Sequence, residues 1–188
     1  MLNPEPYGLD ELVGDLRAIA ARYSDEHEIL KRVRPLARRM AGDPTWLRRE
    51  HYTCDEAQGF GVHLLHEEPD HALAVFALAW LPGRGAPPHN HGTWAVVAGV
   101  DGAEKNTYWR RLDDRSRPGH AVLRVCGAKQ IHPGGVYTLT SDAIHSVTNE
   151  TGRVTVSLHI YGRHLNYTGR SQFDIEAQTE KPFQLAVR

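Results

Sequence analysis

Cysteine is nearly absent from this 188-residue chain: Cys54 and Cys126 stand far apart, with no CxxC spacing. A disulfide between them is not expected, and a reducing cytoplasm is the expected location. No long apolar run is present near the N-terminus or elsewhere, so neither a signal peptide nor a membrane span is expected. Charge of one sign is lacking too, with 22 Lys and Arg against 23 Asp and Glu. The basic residues are scattered apart from short clusters at Arg32 to Arg39 and Arg110 to Arg117, of the kind that mark solvated faces. Nucleic acid is therefore not an expected partner, and a small molecule is. Internal repeats and low-complexity tracts are also missing, and nothing in the composition assigns an oligomeric state.

What is present suits a packed domain. At 40% hydrophobic and 24% charged, the chain reads as one domain over 1–188. Residues 1–45 read as a helical cover. Leu9, Leu12, Val13, Leu16, Ile19 and Ala20 recur at helical spacing, and Ser24 with Asp25 can cap a second helix carrying Ile29, Leu30 and Val33. Pro35 is expected to kink or restart that helix, and Gly42-Asp43-Pro44 to end it. From Phe60 to Phe183 the pattern changes to short apolar or alternating runs: Phe60 to His66, Ala72 to Trp80, Trp94 to Val100, Glu104 to Leu112, Val122 to Ile131, Val136 to Leu139, Ile144 to Thr148, Val154 to Tyr161 and a run near Phe173. Many short strands without intervening helices predict a mainly β protein, an antiparallel sandwich or closed barrel.

Among twelve histidines, His89-Asn90-His91 is the informative pair. An HxH on extended backbone places two imidazoles on one side, and His145 from a distant strand would complete a three-nitrogen cap on a metal. Pro87-Pro88 brings the chain into the pair through a rigid turn. A second pattern lies in Val154 to Tyr161, where Ser157, His159 and Tyr161 alternate with Val156, Leu158 and Ile160. The three polar side chains share one face, where serine can orient histidine and histidine can orient the tyrosine hydroxyl.

In these motifs the sequence resembles the cupin superfamily. Gly83 stands six positions before His89, the HxH is intact and Gly102 falls near the expected end of the first cupin motif. Gly134, His145 and Asn149 keep the intervals of the second, with Thr140 and Asp142 in place of its Pro and Gly. The metal-binding glutamate usual in cupins is absent, since Ala95 and Val96 occupy its place and the nearest acids, Asp101 and Glu104, lie beyond the strand. The site is thus expected to hold three neutral imidazoles and no carboxylate. A bound dication would keep its full charge and favour an anion such as a thiolate.

The combination of a three-His cupin pattern with a Ser-His-Tyr row resembles the cysteine dioxygenase family of thiol dioxygenases, and Lys181-Pro182-Phe183 resembles its bacterial branch containing 3-mercaptopropionate dioxygenases. The resemblance implies a jelly-roll-like β-barrel, Fe(II) held by His89, His91 and His145, and an outer triad of Ser157, His159 and Tyr161. It implies insertion of both atoms of O2 into the sulfur of a small thiol to give a sulfinate. A cysteine that crosslinks to the tyrosine in mammalian-type members is replaced by Val96, so no crosslink is expected. The arginine that clamps carboxylate in cysteine dioxygenases has no counterpart, because no Lys or Arg occurs between Arg49 and Arg84. Arg170, nine residues beyond Tyr161 as in the bacterial branch, is the expected carboxylate partner. His63 and Trp94 are the other expected pocket residues, with Trp80, His164, Asn166 and Tyr167 as further candidates and Gln58 too early in the chain. Mercaptosuccinate and ergothioneine are competing substrates. A cupin isomerase or hydrolase using Zn, Mn or Ni, and a noncatalytic ligand-binding cupin, are the competing functions.

Overall fold

The computed structural model describes residues 7–188. Two helices come first, α1 (Leu9–Arg22) and α2 (Glu26–Gly42), the second capped by the Asp25 carboxylate accepting from the Glu28 amide at 2.9 Å. The helix does not restart at Pro35. That residue lies on the exposed face, as does Lys31 one turn earlier, so the carbonyl deprived of a partner can turn to water.

Eleven strands follow: β1 (Phe60–Glu67), β2 (Ala72–Trp80), β3 (Gly85–His89), β4 (Ala95–Asp101), β5 (Glu104–Arg111), β6 (Leu123–Ile131), β7 (Val136–Leu139), β8 (Ile144–Thr148), β9 (Thr155–Arg163), β10 (Ser171–Asp174) and β11 (Thr179–Pro182). They form two antiparallel sheets, a five-stranded one in the order β1-β2-β9-β4-β7 and a six-stranded one in the order β11-β10-β3-β8-β5-β6. This is a mainly β architecture of two facing antiparallel sheets with an N-terminal helical cover.

Two of these strands carry no sequence signal. In β3 the ladder to β8 pairs Gly85 with Thr148, Ala86 with Val147 and His89 with His145, and its register shifts across the intervening Pro87 and Pro88. Prolines cannot donate to a ladder, and the irregularity absorbs them. A Cβ on Gly85 would stand 1.9 Å from the Val147 carbonyl oxygen, so only glycine lets the strands approach this closely. The eleventh strand, Thr-Glu-Lys-Pro, is polar and exposed, and is a strand only because β10 pairs with it.

The five-stranded sheet is buried on both faces. Its outer residues Val75, Val96, Ala98, Leu158 and Ile160 pack with Leu12, Leu16, Leu30, Val33, Ala37 and Met40 of the helices. Its inner residues Val62, Ala74, Phe76, Leu78, Trp80, Ala95 and Val97 meet Ala86, Ile131 and Val147 of the facing sheet. Burying each large aliphatic side chain is worth roughly 1.5–3 kcal/mol, which explains the almost wholly apolar sequence of β2. After β11 the chain returns along β1, where Arg188 exchanges backbone hydrogen bonds with Val62 and Leu64 at 2.8 and 3.0 Å. This return seats Phe183 and Leu185 between the sheets.

Candidate metal centre

The Nε2 atoms of His89, His91 and His145 converge in the space between the sheets, with His91 3.2 Å from each of the other two. His89 ends β3 and faces His145 across the ladder, while His91 follows in the turn, where Gly92 takes a positive φ of 65° and its amide bonds to the Ser141 carbonyl at 3.0 Å. No carboxylate belongs to the group among the described residues. All three rings are at most 5% exposed, and burial pushes the pKa of each down, His145 to about 3. They are therefore neutral.

Tautomers follow from what the remaining nitrogens touch. His89 Nδ1 lies 2.7 Å from the Pro87 carbonyl and His145 Nδ1 2.9 Å from Asn106 Oδ1. Both contacts require Nδ1–H donation, so both Nε2 atoms carry bare lone pairs. His91 Nε2 has a proton for one of them at most, and His91 Nδ1 is buried without a partner. Three neutral nitrogens directed at one point, with too few protons to bond one another, fit a cation and leave polar atoms unsatisfied without one.

Beside the cap, β9 directs Ser157, His159 and Tyr161 inward. Ser157 Oγ is 2.9 Å from His159 Nε2, and His159 Nδ1 is 2.8 Å from the Tyr161 hydroxyl. The Tyr161 ring stands edge-on to His91 with centroids 5.1 Å apart. Burial raises the Tyr161 pKa above that of an ordinary phenol and pulls that of His159 down to about 3, so both are neutral.

Arg170, 3% exposed, lies over the Phe183 ring at 4.2 Å and gives its Nε–H to the Phe183 carbonyl at 3.2 Å. Its Nη2 is buried with no partner, and burial pulls its pKa down to about 10, which still leaves it charged at neutral pH. A buried guanidinium with no counter-ion among the described residues and an idle donor is a ready anion site. Arg170 lines a cavity with His89, His145, His159, Tyr161 and Trp80, and its apolar wall includes Phe60, Leu78, Phe183 and Leu185. Its accessible volume is about 10 Å³, one water-sized space.

Several expected pocket residues lie elsewhere. His63 follows the inward Val62, so strand alternation turns it outward, where its Nε2 bonds to the Thr53 carbonyl at 2.8 Å. Trp94 precedes β4 and packs in the core beneath the helices, away from this cavity; Trp80 lines it, donating its indole N–H to Ser157 at 3.1 Å. His164 packs edge-on against Tyr167 and tilted against Phe76, and Tyr167 is half exposed. Asn166 and Gln58 instead hold the returning tail, through Leu185 and Ala186 respectively. The residue opposite Tyr161 on β4 is Ala95, not Val96, which points to the helices. Both cysteines are free.

The sequence reading missed Glu104 and Asn106 as parts of the site. They alternate inward on β5, both buried, with Asn106 Nδ2 donating to Glu104 Oε1 at 3.0 Å and Ser157 Oγ to Glu104 Oε2 at 2.8 Å. The available signal was two polar residues two apart on a strand whose neighbours Lys105 and Thr107 are less buried.

No protein-family model matches the chain. Among solved structures, recombinant oxalate oxidase in complex with glycolate aligns at 16% identity and TM-score 0.45, over 56% of this chain and 52% of that one, so the match spans about half of that protein. The cupin domain of an XRE-family transcriptional regulator from Enterobacter cloacae aligns at 15% and 0.40 over 57% of this chain and 99% of that one. KdgF from Halomonas sp. aligns at 15% and 0.47 over 63% and 92%. None of these likenesses bears on what the chain binds. Its own residues make an antiparallel double sheet enclosing a buried three-histidine group able to hold a metal ion.

Proposed function

We propose that this chain is a non-haem Fe(II) thiol dioxygenase of the reducing cytoplasm, acting on a small thiol that carries a carboxylate, 3-mercaptopropionate or a relative such as mercaptosuccinate. One observation carries the reading: of three neutral imidazoles that converge on one point, His89 and His145 line a cavity together with Tyr161 of the Ser-His-Tyr row and with Arg170, whose buried Nη2 has no partner among the described residues. Three neutral donors leave the charge of a dication uncompensated, which favours anions. A mercapto acid brings two anionic groups, and Arg170 is placed to take the second.

His89, His91 and His145 would hold the ferrous ion, which when bound supplies a Lewis acid that keeps the thiol deprotonated and a redox partner for dioxygen. One thiol and one O2 give one sulfinic acid, sulfur losing the four electrons that dioxygen gains, so no outside reductant is needed. Arg170 fixes the carboxylate and hence the direction of the carbon chain. Tyr161, held by His159 and Ser157, offers a hydrogen bond to the reacting groups. Phe60, Leu78, Phe183 and Leu185 exclude water.

Oxygen uptake by the iron-loaded protein across 3-mercaptopropionate, cysteine, mercaptosuccinate and ergothioneine tests the proposal. Uptake with 3-mercaptopropionate or mercaptosuccinate, and a sulfinate product, is expected. Metal-dependent turnover without oxygen would instead make it an isomerase or hydrolase using Zn, Mn or Ni, and ligand binding indifferent to metal would make it a noncatalytic cupin.

A further inference from the structure

Glu104 is a buried carboxyl with no cation beside it, which is costly unless something requires it there. Its two oxygens face opposite ways into the site. Oε1 accepts from Asn106 Nδ2, and Asn106 Oδ1 in turn accepts from His145 Nδ1 at 2.9 Å and from the Tyr137 hydroxyl at 2.5 Å. Oε2 meets Ser157, from which the line runs through His159 to Tyr161. One carboxyl thus joins a metal-cap histidine to the hydroxyl at the cavity.

Counting protons along the line leaves two arrangements. With Glu104 ionised, the Ser157 hydroxyl must donate to Oε2. Ser157 then accepts from Trp80 Nε1 and from His159, which is protonated on Nε2; His159 Nδ1 accepts from Tyr161, and the tyrosine shows the cavity only lone pairs. With Glu104 protonated on Oε2 every bond from there on reverses. Ser157 accepts from Glu104 and Trp80 and donates to His159 Nε2, His159 donates from Nδ1 to the tyrosine oxygen, and the Tyr161 proton turns into the cavity. Both arrangements keep every bond of the line at the same distances, and the second leaves the Tyr161 proton for a group in the cavity.

We propose that Glu104 is a positioning residue that sets the polarity of this line, and so decides whether Tyr161 presents its proton or its lone pairs to the substrate. The consequence for catalysis rests on the reading that Tyr161 faces substrate; the polarity itself does not. The groups facing Glu104 are Trp80 on β2, Tyr108 and Asn106 on β5, Tyr137 on β7 and Ser157 with His159 on β9. Asp101 lines the same small space but is committed to Arg153. Burial raises the Glu104 pKa against the pull of its donors, which brings the switch nearer the working pH.

The test is the tautomer of His159, read from ring 15N shifts in the full-length protein, metal-free and loaded with diamagnetic zinc, with His159→Gln assigning the signal. The wild type should pass from the Nδ1–H to the Nε2–H form as pH rises. Glu104→Gln, whose amide oxygen stays on Asn106 Nδ2 so that its nitrogen faces Ser157 and can only donate there, should hold the Nδ1–H form throughout. If Glu104→Gln does not fold, Ser157→Ala serves: it should abolish the pH response while Glu104 remains. A tautomer that ignores pH in the wild type, or a response that survives either variant, overturns the proposal. The readout needs no turnover, so it stands apart from any failure to find a thiol substrate.

Discussion

Replacing Arg170 by Met removes the guanidinium while keeping a flexible chain over the Phe183 ring. Arg170 already gives Nε–H to Phe183, so its terminal nitrogens, with Nη2 idle and buried, are what a carboxylate would engage. A hydrogen bond to a charged group contributes about 1.5–3 kcal/mol, and a two-pronged contact therefore about 3 kcal/mol or more in this desolvated place. At 1.4 kcal/mol per tenfold, kcat/KM for 3-mercaptopropionate should fall roughly a hundredfold or more. Ethanethiol has the same sulfur chemistry and no carboxylate, so its kcat/KM should change far less. Initial rates of oxygen uptake for both thiols with both proteins give the comparison directly. An equal loss for the two would refute the reasoning, because Arg170 would then be acting on structure or metal rather than on the substrate's charge.

Tyr161→Phe should keep its metal, measured by atomic absorption, and lose about tenfold to a hundredfold in turnover, the worth of one hydrogen bond at 1.5–3 kcal/mol; a loss of metal as complete as in His145→Ala would refute its role. Asn106→Leu takes away the acceptor that fixes the His145 tautomer, and metal affinity by competition titration should fall about 10–100-fold. Acid should destabilise the chain in a defined window. Burial lowers the folded-state pKa of His159 from an ordinary 6.5 to about 3, so below 6.5 the unfolded chain takes up a proton that the folded chain refuses. Stability should drop about 1.4 kcal/mol per pH unit from that ring until pH nears 3, with the slope shallower by that amount in urea titrations of His159→Gln. Identical slopes would contradict the assignment.

The Ser157, His159 and Tyr161 row could be read from sequence because strand alternation is a local rule, and the histidine pair because its two-residue spacing is itself visible, although the structure sets His91 in the turn after β3. The same rule, applied one residue further, would have turned His63 away from the cavity as soon as Phe60 and Val62 were known to face inward. Trp94 could not be placed from its neighbours, since whether a residue before a strand looks to the helices or to the facing sheet depends on where the strand begins. Glu104 was visible as an acid beyond the strand, but its part in the site depends on β5 lying beside β8, a pairing far apart in sequence. Phe183 and Leu185 reach the cavity wall only because the tail returns along β1, and no periodicity signals that.

X-ray absorption at the iron edge of the ferrous-loaded protein examines the metal centre itself. Three imidazole shells, no protein carboxylate and, on adding 3-mercaptopropionate, one new sulfur neighbour are predicted, with the imidazole pattern lost in His91→Ala. A carboxylate oxygen in the resting spectrum, or a spectrum unchanged by His91→Ala, would contradict a metal held by His89, His91 and His145.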